Sequence, residues 1–123
     1  MASARGWRER LDGLATEELG DGLTLHLART YSERRRGLAG LDELPADHAL
    51  HILKCFGVHT FGMRFDLDLI WLDKGGSVVR VDRGVGRRRQ RWCLRARSVV
   101  EAPAGRADKF LAAGVGAGYT RPR

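Results

Sequence analysis

The segment from Arg64 to Arg80, RFDLDLIWLDKGGSVVR, constrains the fold more than any other part of the chain. Phe65, Leu67, Leu69 and Trp71 fall on one face of an extended strand, and Arg64, Asp66, Asp68, Ile70 and Leu72 fall on the other. The second face changes from charged to apolar midway. Such a strand begins at a rim or pocket and ends under cover on both faces. The pair Gly75-Gly76 then supplies the positive φ of a tight turn and SVVRV returns, so the segment predicts a β-hairpin.

The patterning around it is mostly of short strands. DGLTLHLART alternates Leu23, Leu25 and Leu27 against Thr24, His26 and Ala28 after an Asp-Gly turn, which predicts a half-buried strand with His26 on its polar face. HALHILKCF and RSVVEAPAG read as two more strands. Trp7, Leu11, Leu14 and Glu18 recur at helical spacing, predicting a short, loosely attached helix over residues 5 to 19 that Gly13 weakens. YSERRRGLAGL predicts one to two helical turns capped by Ser32, stopping near Gly40, with Arg34, Arg35 and Arg36 projecting. GRADKFLAAG predicts a last short helix closed by Gly114. Strands outnumber helices, and no strand-helix-strand alternation and no internal repeat is visible. The expected fold is α+β and mainly β: a small single-domain compact sheet or barrel-like β structure with two or three short helices.

A chain of 123 residues, 43% hydrophobic and 30% charged, suits one globular core. No apolar run approaches the roughly 20 residues that cross a bilayer. MASARGWRERLDGLATEEL carries charges where a secretory signal needs an apolar stretch, so a cytoplasmic location and no membrane span are expected. Cys55 and Cys93 are too few for a disulfide scaffold and lack CxxC spacing, so they are expected as reduced, partly buried thiols. A bridge between them requires neighbouring strands, which the sequence alone does not place.

The net charge of +7 is local: eight arginines between Arg80 and Arg97 face only Asp82 and make up the whole excess. Arg87, Arg88, Arg89 and Arg91, with Trp92 beside them, are candidates for an anionic partner, since guanidinium groups meet phosphates and an indole stacks on a base. The same run fits a solvated loop in an arginine-rich chain, and nucleic acid is not the expected partner.

CFGVHTFGMRFDLD crowds a thiol, an imidazole and carboxylates together. A Cys55, His59 and Asp68 triad would need cysteine and histidine on one helical face, and Gly57 and Gly62 oppose a helix there. His26, His48, His51 and His59 come without HExxH or CxxC spacing, so neither metal nor cofactor is expected. The plainer reading has His59 and Thr60 bonded to backbone in a glycine-rich turn and Asp68 accepting hydrogen bonds at a strand start.

SERRRGLAG, VHTFGMRFDLDLIWLD, VVRV and VVEAPAGRADKF occur in an order and spacing that resembles the DUF192 family, also called UPF0127, of uncharacterised bacterial and archaeal proteins. The resemblance covers about residues 23 to 116 and rests on Arg34, Phe61, Met63, Arg64, Asp68, Asp73, Glu101, Pro103, Ala104 and Gly105. It implies a compact, mainly β domain and supplies no established activity. On this reading residues 1–22 form an N-terminal extension with a short helix, 23–118 the DUF192-like domain and 119–123 a tail. Gly62 stands where the family often has tryptophan and Asp66 where it often has proline, so the shape of any pocket differs. Many relatives carry an export signal or lipid anchor, and this N-terminus resembles neither.

The expected function is a non-enzymatic small-ligand-binding or accessory module whose polar site gathers Arg34, His59, Thr60, Asp68 and Glu101. Charged groups amid apolar sequence belong either to a paired network or to a wet concavity. An anionic small molecule or a protein is the partner this suits. The alternatives are an enzyme with His59 as base and Asp68 orienting it, or anionic partners held by the arginine segment 80–97.

Overall fold

The structure, a computed structural model, describes residues 2–119, with side chains from Gly6 onward; residues 120–123 of the expected tail lie outside it. The first helix, α1 (Ala2–Leu11), stops before Gly13, which takes a φ of 88°. The chain then enters β1 (Ala15–Glu18), so the helical spacing read through to residue 19 crosses a turn into a strand. Trp7 and Leu11 are buried, which docks α1 on the core rather than leaving it loosely attached. A turn at Gly20–Gly22 joins β1 to β2 (Thr24–Ala28) as an antiparallel hairpin.

The next helix is α2 (Tyr31–Arg36), and its N-cap is Thr30 rather than Ser32. The Thr30 hydroxyl accepts from the Glu33 backbone N–H, and the Glu33 carboxylate accepts from the Thr30 N–H. Only Thr30 has a glutamate three residues on to close that reciprocal box, which decides between the two hydroxyls. Gly37 ends the helix, earlier than the expected stop near Gly40. The chain then reaches β3 (His48–Leu53), which runs parallel to β2. A parallel pair needs a long crossover, and residues 29–47 provide it. One strand-helix-strand unit is therefore present although none was expected, because a six-residue helix leaves almost no periodic signal.

The remaining elements are β4 (Gly57–His59), β5 (Leu67–Leu72), β6 (Val78–Val85), β7 (Gln90–Trp92), β8 (Ser98–Pro103) and α3 (Ala107–Ala112). A mixed six-stranded sheet has the order β1-β2-β3-β8-β5-β6, and β4 pairs with β7 in a separate two-stranded ribbon. The fold is thus α+β and mainly β, in the open-sheet form of the expectation. The ribbon arises from stretches expected as a glycine turn and an arginine loop. The predicted hairpin is β5 and β6: the Asp73 carboxylate accepts from the N–H groups of Gly75 and Ser77, and Gly76 carries the positive φ.

Every residue of β5 is buried. Leu67, Leu69 and Trp71 join Leu50, Ile52 and Val99 under α1, the loop after α2 and the ribbon. Ile70 and Leu72 join Leu25 and Val100 under Phe110 of α3. On the second face Asp68 is as buried as Ile70 and Leu72, so cover begins before the change from charged to apolar residues.

Candidate functional site

β8 lies between β3 and β5 at the middle of the sheet, with Glu101 opposite Leu50 on one side and Leu69 on the other. Side chains alternate along a strand, so Glu101 shares the face of Val99, toward α2 and the ribbon. The residue is 6% exposed. Burial alone pushes its carboxyl up to about 7 from the ordinary glutamate value, with no hydrogen bond or ion pair holding the charged form among the described residues. It faces a cavity of about 390 Å³.

Arg34, Arg35 and Arg36 from the last turn of α2 and Lys54 just after β3 line that cavity with His59, Phe61 and Cys55; Leu38, Ile52 and Met63 supply apolar wall. The Arg34 guanidinium donates to the Arg29 carbonyl at 3.3 Å, and that of Arg35 to the Tyr31 hydroxyl at 3.2 Å. The ion pairs among the described residues are His48 with Asp47, Arg64 with Asp42, Arg80 with Asp82 and Arg83 with Asp108. None involves the four basic side chains of the cavity. Lys54 has a φ of 54°, a left-handed conformation unusual for a side chain with a Cβ, and it turns the chain from β3 toward the ribbon.

Cys55 donates its S–H to the Gly57 carbonyl at 3.2 Å. Burial pushes its thiol pKa up; the Gly57 contact opposes this, the Glu101 charge adds to it and Arg34 opposes it. A thiol held protonated is a poor nucleophile.

Of the five expected site residues, the structure brings Arg34, His59 and Glu101 to this cavity and leaves Thr60 and Asp68 outside it. Asp68 is 1% exposed and its carboxylate accepts from three backbone N–H groups, those of Gly84, Gly105 and Ala107 at 2.9, 3.0 and 2.9 Å. It ties β5 to a bulge in β6, where Gly84 has a φ of 61°, and to the start of α3. Thr60 is equally committed: its hydroxyl donates to the Gly86 carbonyl and accepts from the Arg89 N–H. His59 packs against Phe61 and makes no hydrogen bond to Asp68, so the base-and-carboxylate pair of the enzyme alternative is not assembled.

The arginine segment does not form one patch. Arg80 and Arg83 are paired along β6; Arg87, Arg88 and Arg89 sit exposed in the following loop; Arg91 lies half-buried in the ribbon, where its guanidinium donates to the Gln90 carbonyl. Trp92 faces Gly57 across the ribbon, so close that a Cβ at Gly57 would come within 2.9 Å of its ring. Cys93 donates its N–H to the Phe56 carbonyl, so the segments carrying the cysteines, just outside β4 and β7, are neighbours, yet both thiols are free.

The four histidines occupy three places. His26 is buried rather than exposed on a polar face, because α1 covers it: its Nε2 lies 2.9 Å from His48 Nδ1, and Trp7 packs on His48. His51 is buried on the other face of the sheet, hydrogen-bonded to Ser98, and burial pushes it down to about 4. His59 lines the cavity. Among the described residues no three His, Cys, Asp or Glu side chains cluster as metal ligands. Lys54, Arg35 and Arg36 were not singled out from the sequence as site residues. A lone lysine closing an apolar strand was the available signal for the first.

Fold and site together define a small, mainly β domain with a mixed sheet whose central strand presents an acid to a basic-rimmed cavity. The chain belongs to the DUF192 family, described as Uncharacterized ACR, whose family model matches residues 13–117. Two solved structures share the fold. One, from Sinorhizobium meliloti 1021 and described as a "putative transcription regulator", is 19% identical with a TM-score of 0.68, over 84% of this chain and 91% of that one. The other, a protein of unknown function from Novosphingobium aromaticivorans DSM 12444, is 17% identical with a TM-score of 0.64, over 94% of each chain. No curated protein matches the sequence. No helix among the described residues is long and apolar enough to cross a membrane.

Proposed function

We propose that this domain is a non-enzymatic module that binds a small anionic molecule in the cavity beneath α2. One observation carries the reading: Arg34, Arg35, Arg36 and Lys54 line a single concavity without a carboxylate partner among the described residues. Basic groups gathered at an apolar-walled pocket attract an anion by field and hold it by charge-assisted hydrogen bonds. A volume of about 390 Å³ suits a metabolite-sized ligand rather than a polymer. The same proposal keeps the domain in the cytoplasm, where free thiols such as Cys55 and Cys93 persist.

The test is calorimetric titration with a panel of small carboxylates and phosphate esters, repeated on Arg34→Ser and Lys54→Ser. At least one class should bind, and each substitution should weaken it about tenfold, the worth of one charge-assisted contact. If no anion binds at millimolar concentration, or binding ignores both substitutions, the reading fails.

A further inference from the structure

The protein answers its two most buried carboxylates in opposite ways. Asp68 receives three backbone N–H groups, so its charge is satisfied within the fold. Glu101 receives none among the described residues, although it is 6% exposed and sits at mid-sheet. Buried carboxylates are normally paired or hydrogen-bonded, because an unanswered one costs several kcal/mol. Arg34 lies close enough for both its charge and that of Glu101 to act on the Cys55 thiol, yet Arg34 and Glu101 form no ion pair. The cavity therefore keeps an unpaired acid at its floor apart from unpaired bases at its rim.

A plain anion is a poor complement to that arrangement. Its charge suits the rim, but nothing in it answers the floor, and a second carboxylate there would meet repulsion. What satisfies both ends is a molecule with a negative group for the guanidinium groups and a donor, best a cationic amine, for Glu101. Apolar Leu38, Ile52 and Met63 line the same cavity.

Resting on the anion-binding reading above, we propose that the ligand is a zwitterion, an amine-bearing carboxylate such as an amino acid, with its carboxylate on Arg34 and its neighbours and its ammonium on Glu101. Glu101 is the specificity-determining group: it selects amino carboxylates over their deaminated counterparts. The raised pKa of Glu101 has a consequence. An arriving ammonium favours the ionised carboxylate, so the proton that Glu101 holds near neutrality leaves as the ligand enters. The amine keeps its own proton, since its ordinary pKa lies far above 7.

The test compares matched probes by titration calorimetry: leucine against its deaminated counterpart, and γ-aminobutyrate against butyrate, on the natural chain and on Glu101→Gln. The amine-bearing member of at least one pair should bind about tenfold or more tightly, and that ratio should collapse toward one in Glu101→Gln while the plain carboxylate keeps its affinity. Titration in two buffers of different ionisation enthalpy gives a readout needing no variant: at pH 7 the amino carboxylate should release about half a proton per site, and the plain carboxylate should release none or take protons up. If the plain carboxylates bind as tightly as the amino ones, or without a difference in proton release, the zwitterion assignment is overturned and the anion-binding reading stands. If no probe of either kind binds, the zwitterion assignment falls, and the anion-binding reading falls with it only if the phosphate esters also fail to bind.

Discussion

Replacing Glu101 with glutamine should stabilise the domain at neutral pH and leave it unchanged in acid. The Glu101 carboxyl titrates at about 7 in the folded chain against 4.5 ordinarily. The folded state therefore holds this proton more tightly than the unfolded state does. A group raised in this way contributes stability that is complete below pH 4.5, falls as the unfolded state ionises, and is gone above pH 7. A separation of about 2.5 pH units at about 1.36 kcal/mol each gives roughly 3 kcal/mol. Glutamine has nearly the same shape and no charge to desolvate. His51 works in the opposite direction, since burial lowers it from 6.5 to about 4, so its contribution is present above pH 6.5 and lost as pH falls toward 4. The two slopes nearly cancel between about pH 4.5 and 6.5 in the natural chain. Urea unfolding at pH 4.5, 6 and 8 on both proteins isolates Glu101, because every other titration drops out of the difference. The variant should equal the natural chain at pH 4.5 and exceed it by roughly 3 kcal/mol at pH 8. A difference that stays flat with pH would refute the buried, unanswered carboxyl.

Asp68→Asn should lower stability by about 2–4 kcal/mol in urea unfolding, since an amide NH₂ would confront backbone N–H groups that now donate to a carboxylate. Lys54→Gly removes a left-handed Cβ worth about 1–2 kcal/mol of strain and adds unfolded-chain freedom of about 0.4–1 kcal/mol. Stability should therefore stay within about 1 kcal/mol of the natural chain, measured by thermal melting, while carboxylate affinity falls with the lost rim charge. Changing Arg87, Arg88, Arg89 and Arg91 together to serine should leave small-anion binding unaltered, because none of the four lines the cavity. Any single-stranded DNA binding at about 50 mM salt that those substitutions abolished would restore the arginine segment as a partner surface.

What could be read from the sequence followed how local its cause was. The β5–β6 hairpin was legible because alternation over Phe65 to Leu72 and the turn residues Asp73 to Gly76 act within a few positions of one another. The ribbon was not, since β4 and β7 have three residues each and one period of alternation carries no signal. Nor was the parallel pairing of β2 with β3, which depends on a strand found only after a long crossover. His26 looked exposed because its cover, Trp7 and His48, comes from elsewhere in the chain. Within the site, Arg34 and Glu101 stood out as charges amid apolar sequence, a signal that names candidates without saying which answer each other. Asp68 carried the same signal and turned out to be an internal fastener. Lys54 matters partly through a positive φ, which no residue type but glycine announces.

The contrast between Asp68 and Glu101 also bears on which carboxylate folding alone would choose. At neutral pH Asp68 lowers the free energy of the fold through three backbone donors, so its replacement costs stability, and its presence needs no ligand to explain it. Glu101 does the reverse: at the same pH an isosteric neutral side chain would be more stable by roughly 3 kcal/mol, a large share of the roughly 5–15 kcal/mol that holds a domain together. Leu50 and Leu69 flank it in the adjoining strands, so an apolar residue would also fit the chemistry of its neighbours. A side chain that its own fold disfavours is where the demands of a site, rather than of packing, set the residue. On the zwitterion proposal a bound ammonium would answer Glu101, so such a ligand should raise the melting temperature more at pH 8 than at pH 5, where the carboxyl is already neutral.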